Sequence, residues 1–331
     1  MQVAINGLGR IGRQVLRQLQ CTPGLELVAA NELAEPACVA HLVKHDSVHG
    51  RAGFAVGHGD DCLLLDGRRV PLFREPDPAA LPFGQLGAQV VLECTGRFTG
   101  RAQAARHLRD GVAQVIISAP SADADQTVII GVNEERLEPG ARVLSAGCAT
   151  SQTLALMLRV LDQAFGVQAG LATSVESYGN DQRILDLPHP DPRMARAAAM
   201  SMIPAPSPAG ACLGRVLPAL AGRLEVQAVR VPTPDVSLAD LSVTLERDAT
   251  LDSVLAAFRA AALARPDILG LLSEPLVSVD LRGATETCLL DPFLTRIMAP
   301  RFIKVFGWYD NETAYAARLK DLCLLLRGDA L

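Results

Sequence analysis

Two stretches of this chain hold residue types at spacings that could do chemistry. The first is Gly7-Leu8-Gly9-Arg10-Ile11-Gly12, with Glu32 about 20 residues beyond its last glycine. Gly7 permits a tight turn, Gly9 lets backbone approach a pyrophosphate, and Gly12 lets a helix pack closely on a strand. A helix opening at such a loop offers unpaired N–H groups and a positive dipole end to phosphates. Glu32 can accept from both hydroxyls of a ribose and would repel a 2′-phosphate, so the expected cofactor is NAD rather than NADP. The second stretch is Ser145-Ala146-Gly147-Cys148-Ala149-Thr150, just ahead of a long apolar run. A thiol at a helix N-terminus has its thiolate stabilised by the dipole. The same place offers a backbone donor to an oxyanion. Taken alone, this stretch equally suits an inert buried cysteine.

The elements that must position these groups follow from periodicity. Residues 2–6 read as a buried strand, Val15, Leu16 and Leu19 as one face of a helix, and 25–30 as a second strand ending at Asn31-Glu32. Strand, glycine loop, helix and strand in that order make a βαβ unit. Apolar runs at 89–93, 114–118 and 127–131, with a helical stretch over 103–109, continue a parallel sheet. After about residue 147 the character changes. A helix is expected over 150–165, and Ser237 to Leu245 alternates as an antiparallel strand with one covered face does. Residues 186–210 read as a long ordered loop, and 313–326 as a helix able to return to the first domain. The expected fold is α/β: a Rossmann NAD-binding domain over 1–147, completed by a C-terminal helix within 313–331, and an α+β catalytic domain over 148–312 with a mostly antiparallel sheet.

Bulk properties exclude several classes. The 331 residues are 49% hydrophobic and 20% charged, enough apolar material for a core. A net charge of -5 without long runs points to neither nucleic acid nor an anionic membrane. No apolar run reaches the ~18 residues of a membrane span. The chain opens straight into a strand, without a signal-peptide pattern. Eight scattered cysteines form no metal-ligand spacing, so no metal is expected, and reduced thiols suit a cytoplasmic protein.

Longer motifs then go beyond spacing. Residues 4–13 (Ala-Ile-Asn-Gly-Leu-Gly-Arg-Ile-Gly-Arg), Glu93-Cys94-Thr95-Gly96, Ile117-Ser118-Ala119-Pro120, Asp181-Gln182-Arg183, Arg230-Val231-Pro232-Thr233-Pro234 and Trp308-Tyr309-Asp310-Asn311-Glu312 resemble the glyceraldehyde-3-phosphate dehydrogenase family over the whole chain. Asn31 to Leu42 resembles its erythrose-4-phosphate branch. The resemblance implies that Gly7, Gly9, Arg10, Ile11, Gly12, Asn31, Glu32, Thr95, Ser118 and Asn311 contact NAD. It also implies that Cys148 is the nucleophile, and that Arg230, Asp181, Thr150 and Ser207 serve the substrate and phosphate sites. A small phosphorylated aldehyde is the implied substrate and a homotetramer the implied assembly. The implied chemistry is a Cys148 thiohemiacetal oxidised to a thioester.

Departures cluster on the chemical side. Glu176 stands where the family has its catalytic histidine, Gly147 and Ala149 flank the cysteine in place of hydroxyl residues, and Gly179 replaces a threonine. Beside a thiolate, a carboxylate disfavours ionisation of both groups. Three lost hydroxyls weaken an anion site. The expectation is therefore an NAD-dependent oxidation of a phosphorylated sugar aldehyde in which Glu176, as general base, directs hydrolysis of the thioester. The alternatives are a catalytically impaired NAD-binding homologue with a regulatory role, and a phosphorylating glyceraldehyde-3-phosphate dehydrogenase.

Overall fold

The computed structural model describes residues 1–329, which divide into two compact units. Unit one takes residues 1–130 and 134–148, and the chain from Tyr315 on; unit two takes 131–133 and 149–314.

Unit one is built on a nine-stranded sheet in the order Gln126–Thr127, Val143–Ser145, Gln114–Ile117, Val90–Glu93, Gln2–Asn6, Glu26–Asn31, Arg68–Phe73, Cys62–Leu65, Val56–His58. The first seven strands pair in parallel, and the last two complete an antiparallel edge. The central strands have no polar face: Val3, Ala4, Ile5, Val90, Val91 and Leu92 are wholly buried, as strands covered on both faces must be. The Arg10–Gln20 helix turns Gly12, Val15, Leu16 and Leu19 inward. From the Gln2–Asn6 strand the chain crosses to Glu26–Asn31 on one side and later to Val90–Glu93 on the other. Such a reversal of strand order opens a crevice at the carboxyl ends of the strands.

Two expected elements change. The strand expected at 127–131 shortens to Gln126–Thr127, because Val128 to Ile130 are buried by packing and leave the ladder after one bond to Ser145. The helix expected over 103–109 is one turn, Arg101–Ala104, tightened into a 3-10 turn at Ala105–His107. The segment from 45 to 73, unassigned by pattern, supplies three antiparallel strand pairs.

Unit two has an eight-stranded, mostly antiparallel sheet. Its long Ala149–Phe165 helix is apolar around most of its circumference and is buried accordingly. Ser237–Leu245 alternates strictly between buried and half-buried positions. The Val167–Ser177 strand pairs antiparallel with it and parallel with Leu224–Val231. The loop expected at 186–210 carries a 3-10 turn at Ala198–Met200, the Ile203–Pro206 strand and the start of the Ala209–Val216 helix.

Candidate active site

The glycine loop of unit one has a reason for each glycine. Gly7 has φ +93°, and a Cβ there would lie 2.8 Å from the Thr95 backbone nitrogen. A Cβ on Gly12 would lie 2.0 Å from the Gly7 carbonyl oxygen. These two glycines are required by the chain's own packing. A Cβ on Gly9 would meet no protein atom within 4 Å, so its bareness serves the space above the loop. No side chain caps the Arg10–Gln20 helix, which leaves its first N–H groups for an anion.

That space is a pocket of about 220 Å³ lined by Asn6, Gly7, Gly9, Asn31, Glu32, Thr95 and neighbours. Asn6 and Asn31 end adjacent parallel strands, and Thr95 follows the third. Glu32 accepts from the Leu8 N–H at 2.9 Å and from the Leu33 N–H at 2.8 Å, which ties the second strand to the glycine loop and orients the carboxylate. Open space at Gly9, an uncapped helix and an oriented carboxylate fit a dinucleotide. Of the other expected cofactor residues, Arg10, Ile11 and Gly12 lie in the first helix turns. Ser118 donates its N–H to the Glu93 carbonyl, and Asn311 belongs to unit two. The reading by motif left Glu75, Pro76, Arg97 and Phe98 unassigned, although they line the same pocket. Glu75 arrives by the pairing of Arg68–Phe73 with Glu26–Asn31, a long-range register that no local pattern announces.

Cys148 immediately precedes the Ala149–Phe165 helix. Gly147 before it has φ +66°, a conformation that favours glycine and accounts for glycine at this position. The Gly147 turn is pinned by its N–H to Ser145 Oγ at 3.1 Å and by the Tyr315 hydroxyl donating to its carbonyl at 2.8 Å. Cys148 is half-buried, in contrast to most other thiols. Burial pushes the Cys94 and Cys323 thiols up to about 12, with a hydrogen bond from Ser118 only partly offsetting it at Cys94, and raises Cys288 further. Those three are inert at neutral pH.

In unit two, sheet register positions the expected substrate residues. Parallel pairing sets Glu176 opposite Arg230. Arg230 Nη1 lies 3.3 Å from Glu176 Oε2 and donates to the Ser177 carbonyl at 3.0 Å. The Thr150 hydroxyl donates to Glu176 Oε1 at 2.7 Å. With its hydrogen spent there, Thr150 accepts from the Tyr309 hydroxyl at 2.9 Å, and Tyr309 accepts from Ser174 at 2.8 Å. The buried chain Ser174, Tyr309, Thr150, Glu176 therefore has one direction of donation. The sequence sets Glu176 only against a Cys148 thiolate; the sheet register adds Arg230 as a partner for its charge.

Two other expected residues fall away from this cluster. Asp181 is exposed, and its Oδ1 lies 2.5 Å from where a Cβ on Gly179 would be, so glycine there makes room for it. Ser207 lies past the far end of the strand that pairs Ile203 with Arg230, and its oxygen accepts from the Ala209 N–H at 3.3 Å. Asn311 Oδ1 accepts from Ser177 at 2.9 Å and Ser237 at 3.1 Å, leaving its amide N–H groups to donate. Tyr309, which motif reading left without a role, is the residue that joins Thr150 to Ser174.

Comparison with known proteins places these geometries. Residues 1–101 match the glyceraldehyde 3-phosphate dehydrogenase NAD binding domain, and residues 147–311 match the C-terminal domain of the same family. Over 332 residues the chain is 44% identical to glyceraldehyde-3-phosphate dehydrogenase 1 of Bacillus cereus, covering 100% of this chain and 99% of that protein. It is likewise 44% identical to the Geobacillus stearothermophilus enzyme of that name, with 100% and 99% covered, and 42% identical to the one from Streptomyces coelicolor, with 98% of each covered. No helix among the described residues is long and apolar enough to cross a membrane.

Proposed function

The chain belongs to the glyceraldehyde-3-phosphate dehydrogenase family and is an NAD-dependent oxidoreductase, and from that premise we propose that it oxidises a phosphorylated sugar aldehyde through a Cys148 thioester and transfers the acyl group to inorganic phosphate. The observation that carries this reading is the full-length match to relatives named for glyceraldehyde 3-phosphate, with a cysteine held at a helix start. The bound NAD supplies a hydride acceptor. Gly7, Gly9 and the first turn of the Arg10–Gln20 helix would hold its pyrophosphate, Glu32 a ribose, and the Asn311 amide its carboxamide. The Cys148 thiolate adds to the aldehyde carbon to give a thiohemiacetal on sulfur. Loss of a hydride from that carbon to the cofactor and of the hydroxyl proton to solvent would leave the thioester, and a phosphate oxygen would then attack the acyl carbon, releasing acyl phosphate and the thiolate.

Hydrolysis is the weaker reading. It asks Glu176 to act as a base on water, and both its oxygens are engaged, one by Thr150 and the other by Arg230. The same ion pair favours the second reading, an NAD-binding homologue of reduced activity, because a substrate phosphate must compete with Glu176 for Arg230. We assign the chain to the cytoplasm and to a homotetramer on the same family grounds.

NADH formation with glyceraldehyde 3-phosphate and with erythrose 4-phosphate, each with and without inorganic phosphate, tests the proposal. Turnover that requires phosphate supports it. Phosphate-independent turnover restores hydrolysis. No turnover by a protein that binds NAD leaves the impaired homologue. The preferred aldehyde decides between the two branches of the resemblance.

A further inference from the structure

Beneath the cofactor pocket lies a charged group that the chemistry above does not use. Glu93 ends the Val90–Glu93 strand and is 1% exposed. Its Oε2 accepts from Asn6 Nδ2 at 2.6 Å and pairs with His107 Nε2 at 3.0 Å. Its Oε1 accepts from the Thr95 N–H at 2.9 Å and, more closely, from the Thr95 hydroxyl. A carboxylate has roughly four acceptor directions. All four are filled from inside the protein, so Glu93 has none left for a ligand.

Its partners, by contrast, face the pocket. Asn6 and Thr95 both line it. With its amide nitrogen committed to Glu93, Asn6 offers Oδ1 to Asn31 Nδ2 at 2.8 Å, and Asn31 bonds the Glu75 backbone through both ends of its amide, at 2.9 Å each. One buried carboxylate thus sets the orientation of residues on three adjacent strand ends. Thr95 is also the backbone against which the Gly7 turn presses. His107 is held in turn: it is 3% exposed and stacks on buried Phe83 with centroids 5.9 Å apart and 15° between planes.

We infer that Glu93, braced by His107, is a positioning residue for the cofactor: it orients Asn6, Asn31 and Thr95 and so sets NAD affinity without touching NAD. This holds whichever aldehyde is the substrate. The strongest probe is Glu93→Gln, which keeps the shape but must point its amide donor towards either the Asn6 amide nitrogen or the Thr95 N–H, neither of which can accept. Titration with NAD by calorimetry should show the dissociation constant rising about tenfold, with kcat at saturating NAD within about twofold of the parent. An unchanged dissociation constant in a folded Glu93→Gln protein overturns the inference. Should that variant not fold, His107→Gln and His107→Leu decide. The glutamine keeps a donor for Glu93 and should stay within about threefold in NAD affinity, whereas the leucine should lose about tenfold. Both His107 variants binding NAD like the parent, with only the melting temperature lowered, would make the role merely structural and also overturn it. None of these binding readouts needs turnover, so they stand apart from the test of the proposed reaction.

Discussion

The two units differ in what holds their functional residues. On the glycine loop of unit one the constraints are contacts to backbone: Gly7 against Thr95, Gly12 against Gly7, and the Glu32 carboxylate on the Leu8 and Leu33 amides. In unit two they are charge and hydroxyl pairings between side chains: Glu176 with Arg230 and with Thr150. Backbone close approaches tolerate few residue types, so a cofactor loop of this kind persists as a recognisable string. Side-chain pairings can be exchanged for others of equal charge balance. The Glu176 carboxylate is accommodated in this way, with an arginine set opposite it.

Removal of the proposed nucleophile should sharpen this contrast most. Cys148→Ser should lower NADH formation on the order of 10⁴-fold, while calorimetric NAD affinity stays as in the parent. A loss of NAD binding in parallel would break the separation of cofactor and chemical functions. Next come the glycines. Gly9→Ala meets no protein atom and should melt like the parent, yet bind NAD about tenfold more weakly. Gly12→Ala drives its Cβ onto the Gly7 carbonyl and should cost about 1–3 kcal/mol of stability as well. Equal melting temperatures for the two variants would refute the assignment of Gly12 to packing and Gly9 to ligand space.

Glu176→Gln tests the other unit. The Glu176 side chain is 12% exposed and that of Arg230 28%, so loss of their pairing should cost about 1 kcal/mol in thermal unfolding. It should also free Arg230 for anions and lower KM for a phosphorylated aldehyde about threefold. An unchanged or higher KM would show that Arg230 does not meet the substrate's anion.

The smallest effect is a pH dependence confined to unit one. Burial alone would raise the Asp46 carboxyl, but N–H donation from His49 and Val48 and the charges of His49 and Arg10 outweigh it, and its pKa falls below the ordinary 3.8. A carboxylate depressed on folding contributes stability above its unfolded pKa, and that contribution is lost as pH falls through the folded value. Asp46→Asn should therefore be less stable than the parent at neutral pH, and the gap should close on acidification below about pH 4. Chemical denaturation across that range measures it; a gap that widens in acid reverses the sign and disproves the assignment.

How much was legible follows the same division. The strand, loop, helix and strand that carry Gly7 to Glu32 could be read from pattern alone, since periodicity and glycine spacing are local properties. Cys148 before a helix was legible for the same reason. The lining residues Glu75, Pro76, Arg97 and Phe98 were not, because strand pairing across the sheet brings them to the pocket. The strand expected at 127–131 failed because buried apolar residues such as Val128 and Ile129 look alike in a ladder and beside one. Tyr309 looked like part of a motif, and only the tertiary structure joins its hydroxyl to Thr150 and Ser174.

What the sequence by itself determined is the NAD-binding βαβ unit, the place of Cys148 ahead of a helix and the presence of glutamate at 176. Each rests on residue type and short-range spacing, which folding does not alter. Only the tertiary structure decided what that glutamate is. Parallel pairing set Arg230 opposite it, and the first turn of a helix brought the Thr150 hydroxyl to its other oxygen. The charge of a side chain is written in the sequence, but its partner is chosen by sheet register, and the partner decides what the charge can do.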